Sequence, residues 1–415
     1  MRALRAAVPA IALVAAALSA PASAAPASCF FDPMAATVTI EVGDGESVAI
    51  GRSGEAITLG GTACDAATVS NTNAITVNAT GAPGTISIVL SGGPFAPGLS
   101  AEADGGDPEI EFTISVASGS PIVRVVGGDA ADDIVAGSGG INLNASEPVD
   151  DADVTISGQA AIAMDGNGGG DALSVAGGAG TGGPAAANVN GGDGDDRLFG
   201  ALGQSAFDGA AGEDTIDFAA SASIDADLSG GIVVHAGGAT DQISEVENVV
   251  GSPGDDRLIG TDEANVLSGE AGNDRVECRG AGDTLAGGAG TDTVRFRSDE
   301  GVRVNLSEGT ARGEGKDALT GFENVMGTKR ADTIRGDVEG NKLAGGGGGD
   351  ELFGHDGADI LTGGPGSDRL YGETGNDRLF GRAGRDELDG GDGEDACRGG
   401  PDPDSFVFCE HLTLG

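Results

Sequence analysis

The residues best placed to do chemistry in this 415-residue chain are its aspartates, because they recur in register. From Gly327 the sequence divides into nine consecutive nonapeptides: GTKRADTIR, GDVEGNKLA, GGGGGDELF, GHDGADILT, GGPGSDRLY, GETGNDRLF, GRAGRDELD, GGDGEDACR and GGPDPDSFV. Position 1 is always Gly. Position 6 holds Asp332, Asp350, Asp359, Asp368, Asp377, Asp386, Asp395 and Asp404, with Asn341 in the second unit. Position 8 is apolar throughout, from Ile334 and Leu343 to Cys397 and Phe406. A second block starts at Gly251 and places Asp256, Asn265, Asp274, Asp283 and Asp292 at position 6, with Cys278 replacing the leading Gly of its fourth unit. A third starts at Gly191 and places Asp196 and Asp214 either side of Ser205. The recurring donors are carboxylates and backbone carbonyls, with no recurring His or Cys. Hard oxygen donors suit Ca²⁺ or Mg²⁺ rather than Zn²⁺ or Cu²⁺, and flexible loops with many carbonyls favour the higher coordination number of Ca²⁺.

The elements that must hold these aspartates follow from the unit itself. Six residues of Gly, Asp and small polar types read as a turn, since Gly supplies positive φ and close backbone approach. The remaining three have an apolar residue in the middle, which is a short strand with one inward side chain. Such a strand has to stack on copies of itself, and the product is a solenoid. The block from 327 to 407 carries 18 acidic against 9 basic residues, so it repels itself, and a cation bound in the turns would offset that charge.

These units resemble the Gly-Gly-x-Gly-x-Asp-x-apolar-x pattern of RTX (hemolysin-type) calcium-binding repeats. The resemblance implies an all-β fold, a parallel β-roll or β-helix solenoid with two nonapeptides per turn. It also implies rows of calcium ions along both edges, the position-6 Asp supplying the carboxylate and the Gly-rich turn supplying carbonyls. One edge would then hold Asp332, Asp350, Asp368, Asp386 and Asp404, and the other Asn341, Asp359, Asp377 and Asp395. GDVEGNKLA and GTDEANVLS lack the position-4 glycine and have Asn at position 6, and GTKRADTIR has Arg330 at position 4, so weak or empty sites are expected there. The best sites are expected between Gly345 and Asp395.

Composition agrees with a solenoid and excludes other classes. Gly accounts for 78 residues, Trp is absent, Tyr is single, and Lys+Arg 22 against Asp+Glu 66 leaves a formal charge of −44. Such an acidic chain repels phosphate, which argues against nucleic acid as a partner. Arg2 and Arg5, the apolar stretch from Ala6 to Leu18 and Ala22-Ser23-Ala24 read as an export signal over residues 1–24, and no later segment is apolar enough to span a membrane. In an oxidising compartment the simplest pairing of the five cysteines is Cys29 with Cys64 and Cys397 with Cys409. Cys278 is left over, either buried or paired outside the molecule.

Residues 25–181 read as a β-rich region with strands at Thr37–Val42, 75–78, 85–90, 109–116 and Ile122–Val126, and with decayed repeats at 127–135 and 166–174. This region is an irregular start to the solenoid or, alternatively, a separate sandwich. Residues 182–326 hold repeats interrupted at 218–250 and 296–326 by two similar segments, each closing on Glu-Asn-Val, which read as wider turns whose strands continue the stack. The regular roll spans 327–407, and 408–415 form a C-terminal cap. His235, His355 and His411 form no HExxH motif, and no GxSxG elbow occurs. The expectation is a secreted, non-enzymatic, calcium-binding repeat protein, structural or adhesive at a bacterial cell surface or matrix, with cell-envelope or matrix components as partners. The alternative is an extracellular hydrolase with its active site in the N-terminal β region.

Overall fold

The computed structural model describes residues 27–413 apart from 73, 80–83, 91–110, 118–120, 129–132, 138–139, 144–153, 158–159, 176–186, 201–203 and 314. The expected export signal lies outside the described residues. Those described form strands and turns, with no helix among them.

The strands lie in two rows whose inward side chains make one continuous core from Phe31 to Cys397. In the regular region successive strands of a row are parallel and 18 residues apart: Glu351 lies opposite Arg369, and Arg369 opposite Glu387. The intervening nonapeptides build the other row, where Ile360 lies opposite Arg378. Each turn of the solenoid is therefore two nonapeptides, one strand to each row, and the all-β parallel roll is the observed fold. Leu352, Leu370 and Leu388 form one inner file and Leu343, Leu361 and Leu379 the facing one, all fully or almost fully buried. Each strand of the regular region, from Glu351–Gly357 to Glu387–Asp392, turns one Leu inward, and its other buried positions are glycines. The N-terminal strands turn in more side chains each. Thr37–Val42 buries Val38, Ile40 and Val42, and Ala74–Ala79 buries Ile75, Val77 and Ala79. The core is accordingly wider there, and alternation of β-branched residues replaces the nonapeptide as its signature.

The same rows run through the N-terminal region: Thr37–Val42, Ala74–Ala79, Glu111–Val116 and Val154–Ser157 stack in parallel, and Ala161–Asp165 leads into Ala187–Asp193. What interrupts the stack is a three-stranded meander. Thr240–Ser244 pairs in parallel with the preceding Ala206–Ala211, and Ile224–Asp227 with the following Arg257–Ile259. Ile232–His235 lies between them, antiparallel to both. Arg303–Asn305, Thr310–Arg312 and Lys316–Thr320 repeat this arrangement in the other row. So do Asp133–Gly137, Gly140–Asn142 and Val154–Ser157. Near the N-terminus Val48–Ser53, Ala56–Leu59 and Thr62–Thr68 form a similar antiparallel set. The segments at 218–250 and 296–326 do continue the stack, each through a three-stranded antiparallel meander. Their short hairpin loops leave antiparallel pairing as the available geometry.

Cys29 is bonded to Cys64 and Cys397 to Cys409. Cys278 takes the buried alternative, facing the core between Val276 and Phe296.

Candidate metal centre

Each position-6 aspartate sits at the end of a turn, just before the inward apolar residue, where the backbone bends from edge to row. Its carboxylate folds back under its own turn. One oxygen, Oδ1, accepts the backbone N–H of the position-6 residue one solenoid turn earlier. Asp332 N–H donates to Asp350, Asp350 to Asp368 and Asp368 to Asp386, each at 2.9 Å, and Asp386 to Asp404 at 3.0 Å. The opposite edge repeats the ladder at 2.8 Å from Asn341 to Asp359, Asp377 and Asp395. Asp171 to Asp196, Asp196 to Asp214 and Asp256 to Asp274 repeat the bond at 2.8 Å, the first across 25 residues of sequence.

The other oxygen is the informative one. Oδ2 of Asp196, Asp214, Asp274, Asp292, Asp350, Asp359, Asp368, Asp377, Asp386 and Asp395 is buried and has no hydrogen-bond partner. Buried polar atoms are normally paired, and a buried carboxylate oxygen without a partner is costly. The glycines make room for it. A Cβ on Gly354 would lie 2.2 Å from Asp359 Oδ2 and 2.7 Å from the carbonyl oxygen of Gly372, one solenoid turn on. A carboxylate and a carbonyl oxygen thus converge where position 1 has no side chain. At position 4 a Cβ on Gly384 would lie 1.4 Å from the carbonyl oxygen of Gly366, because stacked turns nearly touch. In these turns glycine at both positions is a steric requirement.

Electrostatics points the same way. Burial pushes the carboxyls of Asp274, Asp283 and Asp350 up to about 7, and those of Asp214, Asp359 and Asp368 up to about 6. Backbone hydrogen bonds oppose the rise, and charged neighbours along the ladder, such as Asp332 and Asp368 for Asp350, add to it. A cation among these oxygens would relieve both the burial and the repulsion. Among the described residues no group of three His, Cys, Asp or Glu side chains converges on one point, so the set on offer is a carboxylate with backbone carbonyls. That donor set fits a hard divalent cation, and Ca²⁺ in particular.

The fourteen aspartates singled out by register are not equivalent. Besides the ten above, Asp256 and Asp332 have their Oδ2 atoms occupied by the backbone N–H of Ser252 at 2.5 Å and of Thr328 at 2.6 Å. Asp283 accepts a backbone hydrogen bond from Arg279. Asp404 accepts from Asp386 but lies in a less buried turn. The meanders supply ladder members that have no nonapeptide register to reveal them. Glu247 accepts from Asp214 N–H, Glu323 from Asp292 and Asp317 from Asp283, and Glu410 does the same for Asp395. The repeated Glu-Asn-Val at 247–249 and 323–325 was the signal for two of them. Asp241 accepts from Ser205 N–H at 2.8 Å, while its other oxygen lies 2.6 Å from Nε2 of His235. Ser221 Oγ lies 3.5 Å from Nδ1 of that ring. This Ser-His-Asp row is sealed in the core, with Ser221 5%, His235 2% and Asp241 0% exposed.

A family model described as RTX calcium-binding nonapeptide repeat matches residues 190–220, 250–277, 280–298, 339–370 and 371–406. The gaps at 221–249 and 299–338 contain the two meanders. No curated protein matches the chain. With ladder aspartates, carbonyl-lined glycine turns and this match in agreement, residues 190–406 carry RTX calcium-binding nonapeptide repeats.

Proposed function

We propose that this is a secreted structural or adhesive protein whose solenoid is completed by calcium, serving at a bacterial cell surface or matrix. The observation that carries the reading is the series of buried, unpartnered Oδ2 atoms on both edges. They make the folded array incomplete until a cation is present, so the fold responds to calcium supply. A protein exported from a low-calcium cytoplasm into a calcium-rich exterior would fold after export, and the two disulfides are consistent with that route. The unbroken strand rows favour an extended scaffold. The hydrolase alternative draws no support from Ser221, His235 and Asp241, because a substrate carbonyl has no path to a sealed serine.

Far-UV circular dichroism of the full chain, titrated from chelator with Ca²⁺ and separately with Mg²⁺, tests the calcium-folding part. A cooperative gain of β signal with Ca²⁺ at lower concentration than Mg²⁺ is expected. Absence of any calcium-dependent gain would overturn the reading. Calcium-dependent retention on isolated cell envelopes tests the adhesive part.

A further inference from the structure

Apart from the units starting at 200, 278 and 399, the repeat units fall into two kinds of turn, and in the unit at 278 the backbone N–H of Arg279 donates to Asp283. In the open kind, positions 2 and 4 both have positive φ, as at Gly346 (+107°) with Gly348 (+110°) and His355 (+76°) with Gly357 (+128°). The ten aspartates with a bare, buried Oδ2 all close turns of this kind. In the closed kind, position 2 is Ser252, Thr261, Thr328 or Asp337, and none has positive φ. The backbone N–H of position 2 then donates to the position-6 side chain: Ser252 to Asp256 at 2.5 Å, Thr261 to Asn265 at 2.7 Å, Thr328 to Asp332 at 2.6 Å and Asp337 to Asn341 at 2.8 Å. The position-2 side-chain oxygen in turn accepts the N–H of position 4, at 3.2, 3.2, 3.0 and 2.9 Å respectively. The position-6 oxygen that would face an ion is therefore already hydrogen-bonded. In two of these turns position 6 is Asn, so the charge has gone as well, and its Nδ2 donates to a backbone carbonyl.

We propose that the residue at position 2 decides which turns take calcium, and that Ser252, Thr261, Thr328 and Asp337 close their turns in place of the ion. The proposal rests on the calcium reading above and adds a division within it. The four turns closed by Ser252, Thr261, Thr328 and Asp337 are not scattered. The units starting at 251 and 260 directly follow the meander that ends at Ser244, and those starting at 327 and 336 directly follow the one that ends at Thr320. Each meander, with the two closed turns stacked on it, makes a nucleus that needs no metal. The open turns that follow are laid on that nucleus as calcium arrives, which removes the loop-closure and nucleation cost of starting a stack from a disordered chain.

The unit GSPGDDRLI differs from the open unit GGPGSDRLY at position 2 by Ser252 against Gly364. Ser252→Gly should therefore open its turn, bare Asp256 Oδ2 and add about one bound calcium per chain in equilibrium dialysis of the full protein. An unchanged, non-zero count overturns the proposal, whereas a wild-type count of zero overturns the calcium reading itself. Hydrogen exchange of the wild-type chain in chelator gives a second test that needs no variant. Amides at 252–268 and 328–344 should stay protected while those at 346–395 exchange freely. Equal exchange across both sets overturns the proposal.

Discussion

The position-6 aspartate uses its two oxygens differently. Oδ1 joins one solenoid turn to the next, and Oδ2 waits for a cation. Asp377→Asn separates these roles, since an amide oxygen can keep the ladder bond while an NH₂ replaces the metal-facing oxygen. That variant is expected to lose about one calcium per chain and to weaken calcium-driven folding roughly tenfold or more, about 1.4 kcal/mol. Asp337→Asn, in a closed turn, should leave the calcium count unchanged. Isothermal titration calorimetry of both variants checks this, and equal losses would mean that bulk acidity rather than register binds the ion.

The same carboxyls make calcium binding depend on pH. Burial raises Asp274 and Asp350 from 3.8 to about 7 and Asp359 and Asp368 to about 6. A raised carboxyl supports the calcium-free fold only while protonated. That support is complete below the unfolded value and is lost as pH rises through 6 to 7. Calcium needs the ionised form, so its binding runs the opposite way and releases protons. The calcium midpoint followed by circular dichroism should rise steeply as pH falls from about 8 to about 5.5. A midpoint independent of pH would contradict buried, proton-holding ligands.

Among the elements, the stacked turns tolerate the least change. Gly384 (φ +131°) has the Gly366 carbonyl oxygen 1.4 Å from where a Cβ would lie, whereas Gly237 (φ +106°), in a meander loop, has nothing within 4 Å. Gly384→Ala must push two turns apart and is expected to cost at least about 3 kcal/mol. Gly237→Ala meets only backbone strain of roughly 1–2 kcal/mol. Thermal melts in saturating calcium should separate the two clearly. The meanders matter for a related reason. Their antiparallel strands pair locally through short loops, so they can form before the long-range parallel pairing of the repeats is in place.

Over the whole molecule, a formal charge of −44 opposes compaction, and two mechanisms could relieve it. Monovalent salt screens charges at a distance, with a Debye length near 3 Å at 1 M, yet it satisfies no buried oxygen. Calcium does both. In chelator, 1 M NaCl is therefore expected to leave the Stokes radius expanded and the β signal low, while millimolar Ca²⁺ contracts the chain. Size-exclusion chromatography distinguishes them, and full compaction by NaCl alone would show that general repulsion holds the chain open.

The nonapeptide register by itself determined a stacked β solenoid, the single file of inward Leu and the recurring aspartates, while the family resemblance implied two units per turn and a row of aspartates on each edge. One inward residue in nine and one Gly-rich turn per strand leave few other ways to bury Leu and pair the backbone. The two disulfides followed from the placing of four cysteines toward the chain ends. What only the tertiary structure decided depends on contacts a full solenoid turn away. Glu247, Glu323 and Asp317 join the ladder because meanders bring them under Asp214, Asp292 and Asp283, across 31 to 34 residues of sequence. His235 lies against Asp241 because its strand runs antiparallel within the stack. Asp256 and Asp368 share one motif position, yet Asp256 is hydrogen-bonded by Ser252 and Asp368 faces its turn with a bare oxygen. The register fixes where a carboxylate stands, and the backbone φ at position 2, visible only in the folded turn, fixes what it meets there.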